Sequence, residues 1–388
     1  MYKYFLIGII NNMDDETEDV TQNNRPGKSG VDSAAAGTKD RSGILQIALG
    51  LIWLLDGALQ FQPFMFTRGF VTQIILPSSQ GNPGWVADPT ISLAHYIEPH
   101  IAAWNAFFAT LQVLIGLGIA GGVLAKRPAI VKTALLGSIA WALLVWWLSE
   151  GLGGILQGGS PLSGAPGAVI LYGIIAVLVW PSNREIRGSH MPAPSRSETE
   201  HRLPGRISTA GYILQDLQDR VTSDTSAKII WAVLWIFNGF LLLEPANQMP
   251  QAVSMNIKSA MPGQPGWLHS LLASSASALS GTGAWLDSLL AVAMIIIGAG
   301  VAFNLYPRVL LSAGIVISLA IWILGEGLGG ILTGQGTDPN TGPLWIILAA
   351  CLWARTTKRD KQLTHHYSSH TSNLTQDHAR TLERGAAY

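Results

Sequence analysis

Apolar stretches of about 20 residues, the length a helix needs to cross a bilayer, alternate along this chain with short polar breaks and two long mixed loops. Eight stretches have this character: 43–61, 101–124, 129–150 and 166–180 in the first half, and 228–245, 283–303, 307–326 and 342–354 in the second. The last is the shortest. The pattern predicts an all-α membrane protein with eight transmembrane helices.

The chain also repeats itself. Residues 50–63 read GLIWLLDGALQFQP, and 232–245 read AVLWIFNGFLLLEP. Each is followed at the same offset by Gly-x-Pro-Gly-Trp, at 81–85 and 263–267. Farther on, Trp146 and Glu150 precede a Gly-Leu-Gly-Gly-Ile-Leu run that recurs after Trp322 and Glu326. Internal repetition of this length points to two four-helix repeats, 43–180 and 228–354. Four crossings per repeat make the second copy enter from the same side as the first, so the repeats are expected to be parallel.

Basic residues set the expected orientation. Twenty-two of the 24 Lys and Arg fall before 43, at 125–132, at 181–228, at 304–309 and after 354; only Arg68 and Lys258 lie in the alternate segments. This places both termini and the linker 181–227 in the cytoplasm of a plasma-membrane protein. The long loops 62–100 and 246–282 and the Gly-rich loops 151–165 and 327–341 face outward. Aromatic and amphipathic patches in the long loops predict short interfacial helices, among them 64–75 and 90–98, then 247–260 and 268–279. The linker ends in ISTAGYILQDLQDRV, which has near-helical apolar spacing and suggests a connector helix on the membrane surface. Residues 1–42 read as a disordered cytoplasmic tail and 355–388 as a second tail; the run MYKYFLIGII is too short to span and lacks a cleavage site.

Composition agrees with a membrane class. Charged residues are 12% of the chain, half the share usual in soluble domains (about 25%), and glycine (42) and tryptophan (14) are abundant. The net charge is zero, with no basic block suited to nucleic acid. Cys351 stands alone in an apolar stretch and reads as a small buried side chain.

Polar residues at membrane depth are the candidates for function. Asp56 shares a helical face with Trp53 and Gln60; the matching positions are Asn238, Trp235 and Leu242. Asp56 is either a functional acid or a structural polar link between helices. Glu150 and Glu326 each close the third span of a repeat. Parallel repeats would set the two symmetrically at the outer boundary, where burial would raise their pKa and suit proton uptake or cation capture. The competing interpretation is a polar anchor at a helix end. His95, Glu98 and His100 form a weak metal-like cluster without a counterpart in the second copy. His365, His366, His370 and His378 lie in the expected C-terminal tail. No phosphate loop, nucleophile elbow or His-Glu-x-x-His motif occurs, and no catalytic residue is assigned.

The four-span unit, with Trp53, Asp56, Gly57 and Gln60 in its first helix, resembles the DoxX-like group of small four-helix bacterial membrane proteins. The second copy presents Trp235, Asn238 and Gly239, with Leu242 departing from the pattern. The segments Gln62-Pro-Phe-Met-Phe66 and Glu-Gly-Leu-Gly-Gly also resemble duplicated bacterial membrane proteins. The resemblance implies a membrane subunit that binds quinone or docks a redox partner protein. Besides that role, the sequence supports proton- or cation-coupled translocation, or small-molecule binding, at an outward-facing cavity between the repeats. A scaffold in the bilayer, without a ligand, is the third expectation.

Overall fold

The computed structural model describes residues 29–181 and 223–353, with side chains from residue 42 onward. By contacts the chain divides into Met1–Asp40 and Arg41–Tyr388, and the architecture below is that of the second unit. The expected tails and the linker helix within 207–221 fall outside the described residues, apart from 29–42. That stretch was expected to be disordered but belongs to a helix, α1 (Ser29–Leu59). Its SAAAGTK run is rich in alanine, the strongest helix former.

The described residues are helical and contain no strand. After α1, the first long loop folds into four short helical pieces between Pro63 and Ser79. Then come α2 (Gly84–Ile97), α3 (Ile101–Leu124), α4 (Pro128–Leu148) and α5 (Ala168–Leu178). The second half holds α6 (Asp224–Leu242), α7 (Ala252–Ser259), α8 (Gly266–Ala278), α9 (Gly283–Ala302) and α10 (Pro307–Ala320), which continues as a wider π turn, Ile321–Gly325. A last helix, α11, runs Thr341–Trp353.

Local chemistry sets the ends. Ser223 caps α6, its hydroxyl accepting the Ser226 N–H at 3.1 Å. Pro128 and Pro307 occupy the first turns of α4 and α10, where the missing N–H is harmless.

Six helical stretches are long and apolar enough to cross a membrane: Ser42–Leu59, Gly84–Leu124, Pro128–Leu148, Asp224–Leu242, Gly283–Ala302 and Pro307–Gly325. These are the dimensions of a multi-pass membrane protein. Two of the eight expected spans, 166–180 and 342–354, form the short helices α5 and α11. At about 1.5 Å per residue, 11 residues rise roughly 16 Å, half of a roughly 30 Å hydrocarbon core. Lys132 and Lys228, near the starts of the expected spans 129–150 and 228–245, lie near the starts of α4 and α6. Lys228 is buried and donates to Asn304 Oδ1 at 2.8 Å.

Glycine explains how the long helices pair. A Cβ at Gly116 on α3 would sit 2.7 Å from the Gly50 carbonyl on α1, and one at Gly298 on α9 would sit 3.0 Å from the Ala232 carbonyl on α6. Only small residues allow such backbone approach, the usual packing mode where lipid removes the hydrophobic drive. Outward-facing positions carry large apolar side chains, such as Leu114, Leu136, Val292 and Val316. The short helices are the most enclosed. Leu171, Tyr172 and Ile175 of α5 and Leu344, Leu348 and Leu352 of α11 are fully buried in one core that also contains Trp53, Trp231 and Trp235.

The long loops have their own small cores. Met65, Phe70, Val71 and Ile75 pack on Ala94 and Ile97 of α2, and Val253 and Ile257 of α7 pack on Leu268 and Leu272 of α8. Each Gly-x-Pro-Gly-Trp opens the helix that follows it, with Gly81 (φ 74°) and Gly263 (φ 72°) in the left-handed region. Trp85 and Trp267 are each 61% exposed. The halves interlock: Leu162 of the first packs into the Val253 cluster, and its carbonyl lies in contact range of Gly325.

Candidate functional site

Both Gly-Leu-Gly-Gly runs adopt a backbone that few residues tolerate. Gly151 to Gly154 all have positive φ, as do Gly327 to Gly330, with Leu152 at φ 59°, ψ 31° and Leu328 at φ 59°, ψ 32°. Each run is one turn of left-handed helix, a conformation that costs an L-residue with a side chain roughly 1–2 kcal/mol. Using glycine at three of four positions confines that cost to one leucine. There is also no room for a side chain: a Cβ at Gly153 would collide with the Pro166 carbonyl, and one at Gly329 with Pro339.

Side-chain amides brace these turns. Asn82 Nδ2 donates to the Gly151 carbonyl at 3.3 Å and to the Ser78 carbonyl at 2.7 Å. Gln264 Nε2 donates to the Gly327 carbonyl at 2.9 Å and to the Ala260 carbonyl at 3.1 Å. Asn82 and Gln264 are the variable residues of the two Gly-x-Pro-Gly-Trp motifs, so each long loop is tied to a glycine turn. Indoles hold the far ends, Trp146 Nε1 donating to the Pro166 carbonyl (2.7 Å) and Trp322 Nε1 to the Pro339 carbonyl (2.8 Å).

The result is that each glutamate meets the start of a short helix. Val169 of α5 points its N–H at Glu150 Oε1, 3.4 Å away. Gly342 of α11 donates its N–H to Glu326 Oε2 at 3.1 Å, and the Thr341 hydroxyl donates to Oε1. Free N–H groups and the positive end of the helix dipole favour a carboxylate there. Glu326 is 6% exposed; Glu150 is half-buried, with Oε2 lacking a hydrogen-bond partner.

Glu150 and Glu326 line one cavity of about 510 Å³, together with Asp338. Glycine backbone and the side chains of Ser163, Thr337 and Asn340 make up much of the remaining wall. No Lys, Arg or His lines it among the described residues. Asp338 Oδ1 accepts the Asn340 N–H at 2.7 Å and Oδ2 accepts the Thr337 hydroxyl at 2.8 Å, so its carboxyl is held by its own turn. Burial pushes the Glu150 carboxyl well above the usual glutamate range, and the Asp338 charge adds to this. Burial raises Glu326 to about 8, against the pull of the Thr341 hydroxyl and the Gly342 N–H. Asp338 is raised by burial as well. Burial thus shifts all three carboxyls toward their protonated forms.

The other predicted residues lie elsewhere. Asp56 is buried in α1 beside the Tyr172 phenol, within electrostatic reach of Asp338 and Glu150, but outside the cavity wall. Trp53 Nε1 donates to Ser138 Oγ at 2.9 Å, and its ring lies 4.6 Å from that of Tyr172. Gln60 is buried, and its carbonyl accepts from Asn105 Nδ2 at 2.7 Å. Asn238 turns back to the Leu234 carbonyl at 2.8 Å, and Trp235 stacks on Trp231 with centroids 4.9 Å apart. His95 and His100 are exposed, Glu98 lies 3.9 Å from the Arg68 guanidinium, and among the described residues no group of His, Cys, Asp and Glu is placed to hold a metal. The aromatic residues of 64–75, expected in an interfacial helix, pack into the small core beside α2. Asp338 was missed because it has no partner in the other repeat; Asn82 and Gln264 carried a signal, an amide at the same motif position.

Compared with known proteins, the chain matches no family model, no curated protein and no solved structure.

Proposed function

We propose that this integral membrane protein takes up protons, or a small cation in exchange for them, at the acidic chamber shared by Glu150, Glu326 and Asp338. One observation supports it above the others: two glutamates 176 positions apart in sequence line the same cavity, with a third carboxyl and, among the described residues, no basic side chain. Uncompensated carboxyls in a confined space are protonated until a cation replaces the proton. Asp56 lies within electrostatic reach of Glu150 and Asp338.

In this proposal the chain is a duplication of four-helix units in the plasma membrane, with α5 and α11 completing eight crossings. Each short helix pairs with a glycine turn that fills the remaining depth, an arrangement allowed where irregular backbone lines a cavity. Lys126, Arg127 and Arg308 stand at the opposite helix ends from the glutamates, which supports a chamber on the outer side and termini in the cytoplasm. A distant relation to the DoxX-like group rests on Trp53, Asp56, Gly57 and Gln60.

The test is proton flux in proteoliposomes under an imposed pH gradient, with and without an organic or alkali cation on the chamber side. Wild type should conduct or exchange, and Glu150→Gln combined with Glu326→Gln should abolish it. Equal flux in the double variant retires the proposal.

A further inference from the structure

The helix that meets Glu150 also meets Asp56. Val169, in the first turn of α5, points its N–H at Glu150 Oε1. Tyr172 follows three residues later, on the same helical face and about 4.5 Å farther along the axis. Its ring lies 4.6 Å from that of Trp53, which Ser138 holds through a 2.9 Å bond to the indole. Trp53 stands one turn before Asp56 on α1, so the contact between the rings brings the Tyr172 phenol beside the Asp56 carboxyl. Glu150 and Asp338 are the other charged groups within electrostatic reach of Asp56.

Glu150 Oε2, the Tyr172 hydroxyl and Asp56 Oδ1 are all buried oxygens without a hydrogen-bond partner. Buried polar atoms are ordinarily paired, and orphans of this kind call for an explanation such as a chemical role. Acids inside membrane helices characteristically serve as proton relays.

The second bundle repeats this geometry without its chemistry. Trp146 bonds to Pro166 as Trp322 bonds to Pro339, which aligns α5 with α11 and sets Trp345 in the place of Tyr172. Trp345 packs against Trp235 with centroids 5.7 Å apart, as Tyr172 packs against Trp53. Asn238 takes the place of Asp56. An indole has no acceptor and an amide does not titrate, so neither passes on a proton. Both Glu326 oxygens are already held, by Thr341 and Gly342. Asp287, also buried in this bundle, borders an aliphatic space that none of the chamber acids lines.

We infer that protons leave the acidic chamber through the first bundle only, passing from Glu150 by way of Tyr172 to Asp56. The inference rests on the proton uptake proposed above. In the transfer an O–H bond of the Glu150 carboxyl breaks and one forms on the Asp56 carboxylate. The phenol gives one proton, gains another and stays neutral. Glu150 is left as the carboxylate that the chamber recharges.

The experiment measures proton flux of the full chain in proteoliposomes under an imposed pH gradient. Asp56→Asn should lower the flux at least tenfold at an unchanged thermal midpoint, and Asp56→Glu should recover part of it. In the Asn variant the Glu326 carboxyl should still titrate near its value of about 8 in the infrared, showing uptake without transfer. Tyr172→Phe keeps the ring against Trp53 and should also lower the flux at least tenfold; it decides the matter if the Asn variant fails to fold. Asn238→Leu and Asp287→Asn should conduct like wild type. Undiminished flux in Asp56→Asn or Tyr172→Phe, beside an inactive Glu150→Gln, Glu326→Gln double variant, would overturn this route and leave the chamber reading standing. Flux lost in a folded Asn238→Leu or Asp287→Asn variant would overturn the restriction to the first bundle. Absence of flux in wild type would remove both the route and the chamber reading.

Discussion

The indole N–H of Trp322 donates to the Pro339 carbonyl at 2.8 Å, and this bond anchors the turn that carries Asp338. Trp322 leaves the π turn just before Glu326, while Pro339 sits just before α11. One hydrogen bond therefore fixes the distance between the end of a long helix and the start of the short helix whose N–H groups hold Glu326. Trp146 and Pro166 do the same for Glu150. Positioning of the carboxyls thus depends on residues that do not themselves line the chamber.

Removing that donor has a measurable cost. Trp322→Phe keeps the ring and loses the N–H, so it should destabilise the protein by about 1 kcal/mol, read as a lower unfolding midpoint in detergent. Trp146→Phe should behave alike. A midpoint unchanged in both would show that the glycine turns hold the loops unaided.

The left-handed turns make a sharper prediction. Gly329→Ala introduces both a strained φ of 68° and a collision with Pro339, and Gly153→Ala a φ of 64° with the Pro166 carbonyl. Each should cost several kcal/mol, at the large end for single substitutions, seen as loss of folded protein in size-exclusion profiles. Gly266→Ala is the control, since it meets nothing within 4 Å. Normal folding of the Gly329 and Gly153 variants would mean that the turns have another conformation.

Much of the architecture could be read from residue pattern, because long apolar runs such as 101–124 can only be buried or lipid-facing. The shortness of α5 and α11 could not, since the apolar runs at 166–180 and 342–354 do not reveal that α5 begins at Ala168 and ends at Leu178. The Gly-Leu-Gly-Gly runs announced close backbone approach, but left-handed turning depends on tertiary contacts with Pro166 and Pro339. Glu150 and Glu326 were identifiable through recurrence. Recurrence drew attention to Asn238 and Trp235, which lie outside the acidic chamber, and away from Asp338, which lines it and stands without a marked counterpart.

Thr341 tunes Glu326. Its hydroxyl donates to the carboxyl and, with the Gly342 N–H, opposes the rise caused by burial. Thr341→Val keeps the shape and removes the donor, so the Glu326 carboxyl should titrate above its present value of about 8. Infrared absorption of the protonated carboxyl, followed against pH with Glu326→Gln as the blank, reads this directly. A titration that moves downward would contradict the hydrogen-bond assignment.

Glu326 also predicts how stability depends on pH. In the folded chain its carboxyl keeps the proton up to about pH 8, whereas an unfolded glutamate releases it near the ordinary value of 4.5. Between these values the folded state binds more protons than the unfolded state, so rising pH favours unfolding. The stabilisation is complete below about 4.5 and is lost as pH climbs through about 8. Glu150 and Asp338, also raised by burial, act in the same direction. Thermal midpoints in detergent should therefore fall from pH 5.5 to pH 8.5. Glu326→Gln, neutral at every pH, should flatten part of that slope and leave the share due to the other two acids. An unchanged slope in Glu326→Gln would mean that Glu326 is ionised in the folded protein at neutral pH, with a cation held beside it.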